Sequence, residues 1–598
     1  MYKHFRHTRH AGLALLLTTM ATPAMADDAL GPILITTPTR SAQTVDDTVA
    51  PVVVITREDI ERAPAVDAAD LLQRHAGIEL GRNGGFGQIT SVFIRGANSN
   101  HTLVMIDGVR INPGSIGTAP LQDIDPAMIE RIEVVKGPRS ALWGSDAIGG
   151  VVNVITRRPR ELSAGIAAGE HGSSGVQASA GGTTHDWRWG VSASHRQASG
   201  YPVHVSAGED HGFRNTSLLA NADGRIGDIG IEAMHWQANG RTEYWSFGDL
   251  TQDFSNAVTA VGATLPWSTS AQGRLRLTHM RGSIEQQEPN FLGEYDEART
   301  ERLGLELQHE QVLGGGDRVL VGAALNRETV KARSFGTLFD EDTAIDALFA
   351  QYALERGSHR AVAAVRHTEH EAFGGHFTWN VDYGYPLTDD LRLTLGAGSA
   401  FRAPDTTDRF GFAGNTDLDP ETSRNVEAGL RYRVGEASEL RATWFDNRIR
   451  DLILYDGTQM QNVERARIYG LELGWSWRRG PWSLDAQAVM QEPRNESRDE
   501  PLARRARRSA TIALDHRAGR WGSNLQLRMA GERKDSSFND VRLPGYGVLD
   551  AAVDYALAKD VTLGLRVENL FDHAYELAAG YPMRGRHAML ELRAQFGK

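Results

Sequence analysis

SVFIRGANSNHTLVMIDGVRIN (residues 91–112) and ERIEVVKGPRSALWGSDAIGGVVNVITRR (residues 130–158) decide how the rest of the chain is read. Three short β-rich runs, SVFIRG, TLVMIDG and RIEVVKG, alternate with loops of Gly, Pro, Ser and Asn, residues that turn the backbone sharply. Such a stretch forms a small, tightly wound α/β globule. Periodicity alone does not separate it from any other little α/β domain, because short apolar runs suit helix and strand alike.

Beyond about residue 159 the texture changes to alternation. In NVEAGLRYR, Val426, Ala428, Leu430 and Tyr432 fall on one face and Glu427, Gly429 and Arg431 on the other. Leu471, Leu473, Trp475 and Trp477 oppose Glu472, Gly474 and Ser476 in the same way, and near the C-terminus Leu590, Leu592 and Phe596 oppose His587, Glu591, Arg593 and Gln595. Successive strand residues point to opposite faces, so these are strands with one apolar and one polar face. A soluble sandwich gives the same pattern. Two features favour a membrane barrel: the polar face carries charge in strand after strand, and the chain opens with a secretory leader. Lys3, Arg6 and Arg9 precede the apolar run Ala11 to Leu17 and the small-residue cleavage pattern Ala24-Met25-Ala26. No later run approaches the roughly 18 consecutive apolar residues of a spanning helix. Lipid cannot satisfy free backbone groups, so a sheet in the membrane must close.

The length of 598 residues calls for a large fold or several domains. The absence of Cys excludes disulfides, thiolate metal sites and cysteine nucleophiles. A net charge of −12 disfavours nucleic acid as a partner, since phosphate binding needs clustered cations. Neither HExxH nor GxSxG occurs, and no enzyme is expected. Locally, Thr56 caps a helix through Asp59, Asp67 caps DAADLLQRHA up to Gly77, and Asp125-Pro126 starts a further turn. The polar stretches 206–224 and 489–509 read as strand ends with outer loops.

Phe93-Ile94-Arg95-Gly96, Ile106-Asp107-Gly108-Val109, Lys136-Gly137-Pro138-Arg139-Ser140, Trp143-Gly144 and Gly149-Gly150-Val151-Val152-Asn153 follow one another in an order that resembles the plug domain of TonB-dependent outer-membrane receptors. Within that family the chain is most similar to the cobalamin receptors. The resemblance implies a β fold: a large antiparallel transmembrane β-barrel of about 22 strands with an N-terminal α/β plug domain inside the lumen. Residues 1–26 are then a signal peptide, 27–44 a periplasmic segment with the coupling box at 31–37, 45–158 the plug and 159–598 the barrel. So short a periplasmic segment leaves no room for an additional signalling domain. The implied function is TonB-dependent import of cobalamin or a related corrinoid. Its partners are a TonB-type periplasmic energy-coupling protein, the corrinoid substrate and outer-membrane lipid. A ferric siderophore or other metal chelate is the alternative cargo, and a passive porin or adhesin the third reading. No cofactor is required, and structural calcium is the one metal implied.

The resemblance also assigns residues. Coupling falls to Ile33, Leu34, Ile35 and Thr36, a short extended segment able to add a strand to a partner's sheet; Gly31 and Pro32 depart from the polar pair that often opens the box. Two Gly-rich loops, 82–88 and 112–118, form the floor of the ligand site through Phe86, Gln88, Asn112, Ser115 and Ile116. Glu427 and Glu472 meet plug cations, with Arg95, Lys136 and Arg139 as partners, and guanidinium holds carboxylate bidentately. Glu209, Asp210, Asp249 and Asp253 are the acids that hold calcium, which takes clustered oxygen ligands. Phe401-Arg402-Ala403-Pro404 and Asn415 to Leu418 resemble two further family boxes. No His stands between Asp405 and Gly414, which disfavours haem. Phe596 is followed by Gly597 and Lys598, a departure from barrels that finish on an aromatic residue.

Overall fold

The computed structural model describes residues 33–597 apart from 64, 76, 77, 463, 464 and 538; the leader, Gly31 and Pro32 lie outside the described residues. One antiparallel sheet runs from Leu162–Gly169 to His587–Phe596, and these two strands pair with each other from Leu162↔Phe596 to Gly169↔Met589. The result is a closed barrel of 22 strands, to which the two-residue piece Glu500–Pro501 adds on the strand Trp482–Asn495. Alternation places the side chains as the pattern dictates. Val426, Leu430 and Tyr432 are 47%, 45% and 45% exposed on the outer surface, while Glu427 between them is 9% exposed. Outward apolar groups in a closed sheet are a lipid-facing surface.

Asp249–Ser268 and Thr337–Arg356 are 20 residues each, longer than a membrane requires. The stretch 206–224, read as strand ends with an outer loop, divides in that way: 206–210 is loop, and His211–Ile226 is a strand paired with both neighbours. Outside the apolar band a strand keeps its hydrogen-bond ladder but has no reason to alternate apolar with polar. The same holds for 489–495, which ends the strand Trp482–Asn495. Connections such as 226–229 and 268–271 are tight at one end of the barrel, whereas 402–421, 450–465 and 568–587 are long at the other. Short turns mark the periplasmic end and long loops the outer end.

The barrel encloses a five-stranded plug sheet ordered Val52–Ile55, Ile129–Lys136, Gly150–Thr156, Thr102–Ile106, Val109–Arg110, in which only Thr102–Ile106 and Gly150–Thr156 run parallel. Val104, Ile132, Val134, Val152 and Val154 form its interior. Thr90–Phe93 stands apart, paired with Glu79–Arg82. Helix Arg57–Arg62 begins at a reciprocal cap between Thr56 and Asp59. Helix Ala68–His75 follows Asp67, whose carboxylate accepts the Asp70 N–H. Plug residues share one apolar core with inward wall residues such as Trp236, Val258, Met280 and Val548.

Candidate functional site

After Phe93 the plug backbone turns through Arg95 at φ +48° and Gly96 at φ +69°, a left-handed conformation uncommon for a residue with a side chain. That turn aims the Arg95 guanidinium at the wall, 2.6 Å from Glu427 and 2.8 Å from Glu472. Lys136 Nζ lies 2.9 Å from the second Glu472 oxygen. Burial pulls the Arg95 pKa down, but the two carboxylates outweigh it and raise it above the ordinary value. Arg139 does not join this group, a correction. It lies 3.1 Å from Asp382 on the strand Gly374–Pro386, a carboxylate whose inward direction becomes visible only once the sheet closes.

Two more charge clusters fasten plug to wall. Arg402, 1% exposed, binds Asp405 and Asp408 at 2.7 Å each and Glu421 at 3.0 Å, while His101 of the plug reaches Glu421 at 2.8 Å. Helix Ala68–His75 brings Arg74 to Asp550 at 2.5 Å, where Arg528 also binds at 3.1 Å. The acids at three and six positions after Arg402 are a local signal for the first cluster. Nothing near Asp550 in the sequence announces the second.

The two Gly-rich loops are packed rather than open, which corrects most of the expected ligand contacts. The Asn112 amide is fully buried and spent on its own loop, accepting the Val104 N–H and donating to the Thr102 and Gly117 carbonyls. Gln88 donates to the Glu243 carbonyl at 2.7 Å. Phe86 is buried under the Arg584 guanidinium, 4.1 Å from the ring, and against His587 at 5.5 Å. Ser115 is buried beneath helix Thr406–Phe410, whose Thr407 N–H donates to its carbonyl. Ile116 is half-buried.

A surface the sequence did not announce lies at the outer end. Phe247, Phe291, Phe335 and Phe412 form a chain of rings with successive centroids 5.3, 5.9 and 5.6 Å apart. Phe247, Phe291 and Phe412 are 81%, 61% and 58% exposed. Phe247 and Phe335 sit at turn tips with φ +57° and +46°. Bulky residues there cost roughly 1–3 kcal/mol each, strain that clusters at ligand clamps. The arc continues to Arg409, which lies 4.4 Å over Phe410 and 5.0 Å over Phe373.

The four acids assigned to calcium are not brought together. Asp253 is held by Arg241 at 2.7 Å and Asp249 by His211 at 3.0 Å, while Glu209 and Asp210 are exposed in the preceding loop. Among the described residues no group of three or more His, Asp or Glu is arranged to hold a metal ion. The segment that the resemblance assigns to coupling is docked instead of free. Leu34–Ile35 pairs with Gln43–Thr44, Ile35 is fully buried, and the Thr36 and Thr37 N–H groups donate to one Glu133 oxygen at 3.1 and 3.0 Å. Ile33 and Leu34 are exposed.

Glu79 of the plug accepts the Ala506 N–H at 2.6 Å and the Gln491 amide at 3.0 Å, yet burial pushes its carboxyl up to about 7. The protonated form is therefore favoured in the folded state. Its contribution is complete below the ordinary value of 4.5 and is lost as pH rises through about 7. The thermal midpoint should fall between about pH 4.5 and 7 by the equivalent of about 2–3 kcal/mol, and Glu79→Gln should flatten that fall. An equally steep fall in the variant assigns the effect to another group.

A family model described as TonB dependent receptor-like, beta-barrel, matches residues 164–570, and one described as TonB-dependent Receptor Plug Domain matches residues 44–151. Among solved structures, the siderophore receptor PirA of Acinetobacter baumannii is similar with TM-score 0.78 at 18% identity, over 91% of this chain and 98% of that one. A ferric enterobactin receptor, PfeA of Pseudomonas aeruginosa, gives 0.79 at 17% identity over 92% and 98%. FpvA of P. aeruginosa, bound to an iron-loaded pyoverdine, gives 0.81 at 14% identity over 94% and 88%. Identities this low show a shared fold. The barrel model spans more than half of the chain and the plug model its N-terminal domain, so this outer-membrane protein belongs to the TonB-dependent receptors.

Proposed function

We propose that the receptor imports a ferric siderophore or a closely related metal chelate, captured on the outer aromatic arc and released to the periplasm when an energy-coupling partner pulls on the segment around Ile33 to Thr36. The arc carries the reading. Four phenylalanine rings in sequence, two held in strained turn tips, form a surface suited to flat conjugated groups such as the aromatic chelating arms of a siderophore. Arg409 at its inner end supplies positive charge for an anionic complex. The named siderophore receptors with this fold support the same cargo class.

Corrinoid import is the second reading, favoured by the plug motifs from Arg82 to Gly96 and from Gly137 to Asn153. A corrin is also a large conjugated face. Titrating purified receptor with a ferric catecholate siderophore and separately with cyanocobalamin distinguishes them. Tight binding of the first supports the main reading, and binding of cyanocobalamin alone replaces it with the second. The triple variant Phe247→Ala/Phe291→Ala/Phe412→Ala should weaken binding of the preferred ligand by at least about tenfold, as loss of one to two kcal/mol from several ring contacts requires. Unchanged affinity in the triple variant would remove the arc from the site.

A further inference from the structure

Three cavities separate plug from wall along the seam where the first and last barrel strands meet. One of about 110 Å³ starts beside Phe86 and Gly87 of the plug and Ser173 of the wall. One of about 30 Å³ lies against Ser163, Gln177 and Ser192. The third, about 670 Å³, lies at the periplasmic end against Arg157, Arg188 and Arg276. Arg57 and Glu61 line all three. The wall here presents small inward groups, Ser163, Gly165 and Ser192. The Ser192 hydroxyl is buried at 2% exposure and has no hydrogen-bond partner.

The plug is also fastened unevenly. The clusters around Arg139, Arg95, His101 and Arg74 all bind strands between Gly374 and Ala558. Along the strands from Trp187 to Ser268 the contacts are mostly hydrogen bonds from neutral side chains. Ser194 donates to Asp125 at 2.8 Å, Asn215 to the Asp123 carbonyl at 2.8 Å, Asn221 to the Arg157 carbonyl at 2.7 Å and Asn256 to Asp123 at 2.9 Å. The ion pairs there are loose or exposed: Arg196–Asp125 at 3.8 Å, and Arg158–Asp223 at 3.3 Å with the Arg158 side chain 46% exposed. Two of the four hydrogen bonds end on backbone carbonyls and two on carboxylates, and hydrogen bonds from neutral donors give way more easily than buried ion pairs. A pull on the plug therefore opens this side first.

We propose that cargo passes along this seam, and that the Arg57–Glu61 pair, 2.9 Å apart and flanked by Arg593 3.8 Å from Glu61, is the gate that interrupts the path at rest. The inference rests on the transport reading and adds a cargo preference. The lining of the periplasmic cavity holds nine Arg against seven Asp and Glu, and among the described residues Arg276, which donates to the Asp107 carbonyl, and Arg157 make no ion pair; this small positive excess favours an anionic complex.

The chain has no Cys, which permits a clean thiol test. Purified full-length receptor carrying Arg57→Ala/Glu61→Ala is placed in planar lipid bilayers without chelate or energy partner. Its ion conductance should rise severalfold over the parent. On that background, Ser192→Cys treated with a bulky methanethiosulfonate should return conductance to the parent level. Ser423→Cys, on the far wall, 3% exposed and also without a partner for its hydroxyl, should not. If the double variant does not assemble as a heat-modifiable barrel, Glu61→Gln, which removes the charge and keeps the volume, takes its place. Parent-level conductance in the gate variant, or equal block at Ser192 and Ser423, overturns the proposal. No cargo enters the assay, so a wrong cargo class leaves its result unchanged, and failed siderophore binding beside an intact conductance pattern overturns only the cargo reading.

Discussion

Replacing Glu472 by Ala will loosen the plug more than any other single change at the wall. It withdraws an acceptor from Arg95 at 2.8 Å and from Lys136 at 2.9 Å, whose side chains are 5% and 8% exposed. Glu427 remains for Arg95 at 2.6 Å, but Lys136 has no second carboxylate among the described residues. Removing one partner of a buried pair costs about 3–5 kcal/mol, because the remaining charge stays desolvated. The expected results are a lower thermal midpoint and greater cellular sensitivity to antibiotics too large for ordinary porins. Glu472→Gln keeps the shape and should fall between parent and Ala. Arg139→Ala should be milder, since that residue makes a single pair with Asp382. Parent-like melting and antibiotic sensitivity in Glu472→Ala would place the latch elsewhere.

Deleting Ile33 to Thr36 will abolish energised uptake while leaving ligand binding intact. In the resting state this segment is not available for strand addition. Its ladder groups at Leu34 and Ile35 are taken by Gln43 and Thr44, and the next two N–H groups by Glu133. On the proposed reading a partner can pair with it only after those contacts open, which would make the segment both handle and seal. Ile35→Pro keeps the length but removes an N–H needed for a ladder, and should lose uptake to background as the deletion does. Cells carrying either variant should bind the chelate as the parent does and fail to accumulate it. Full accumulation in both would mean a passive pore.

The barrel was legible because its signal is local and repeated. A strand with lipid on one side and water or plug on the other must alternate, and Val426 to Tyr432 and Leu471 to Trp477 do so. Where a strand leaves the membrane that pressure ends, which is why 206–224 lacks alternation although His211–Ile226 is strand throughout. Capping is equally local: Thr56 with Asp59 and Asp67 with Asp70 lie three residues apart and meet as their spacing requires.

The ligand floor was misread for the same physical reason in reverse. Gly-rich loops offer close backbone approach, but whether a side chain faces ligand or its own loop depends on what lies above it. Helix Thr406–Phe410, nearly 300 residues downstream, covers Ser115, and the Asn112 amide is consumed within its own turn. The aromatic arc had no signature because its members come from separate loops.

Residue spacing alone marks out the alternating strands of a membrane barrel, the plug and its capped helices. These follow from patterns within ten or so residues, where spacing alone decides which side chains share a face. Closure of the barrel decides which charges meet across plug and wall, that Arg139 goes to Asp382, and that the Thr36 and Thr37 N–H groups are held by Glu133. Those pairings join residues hundreds of positions apart. Their strength comes from burial in a closed barrel, which no local run of sequence encodes.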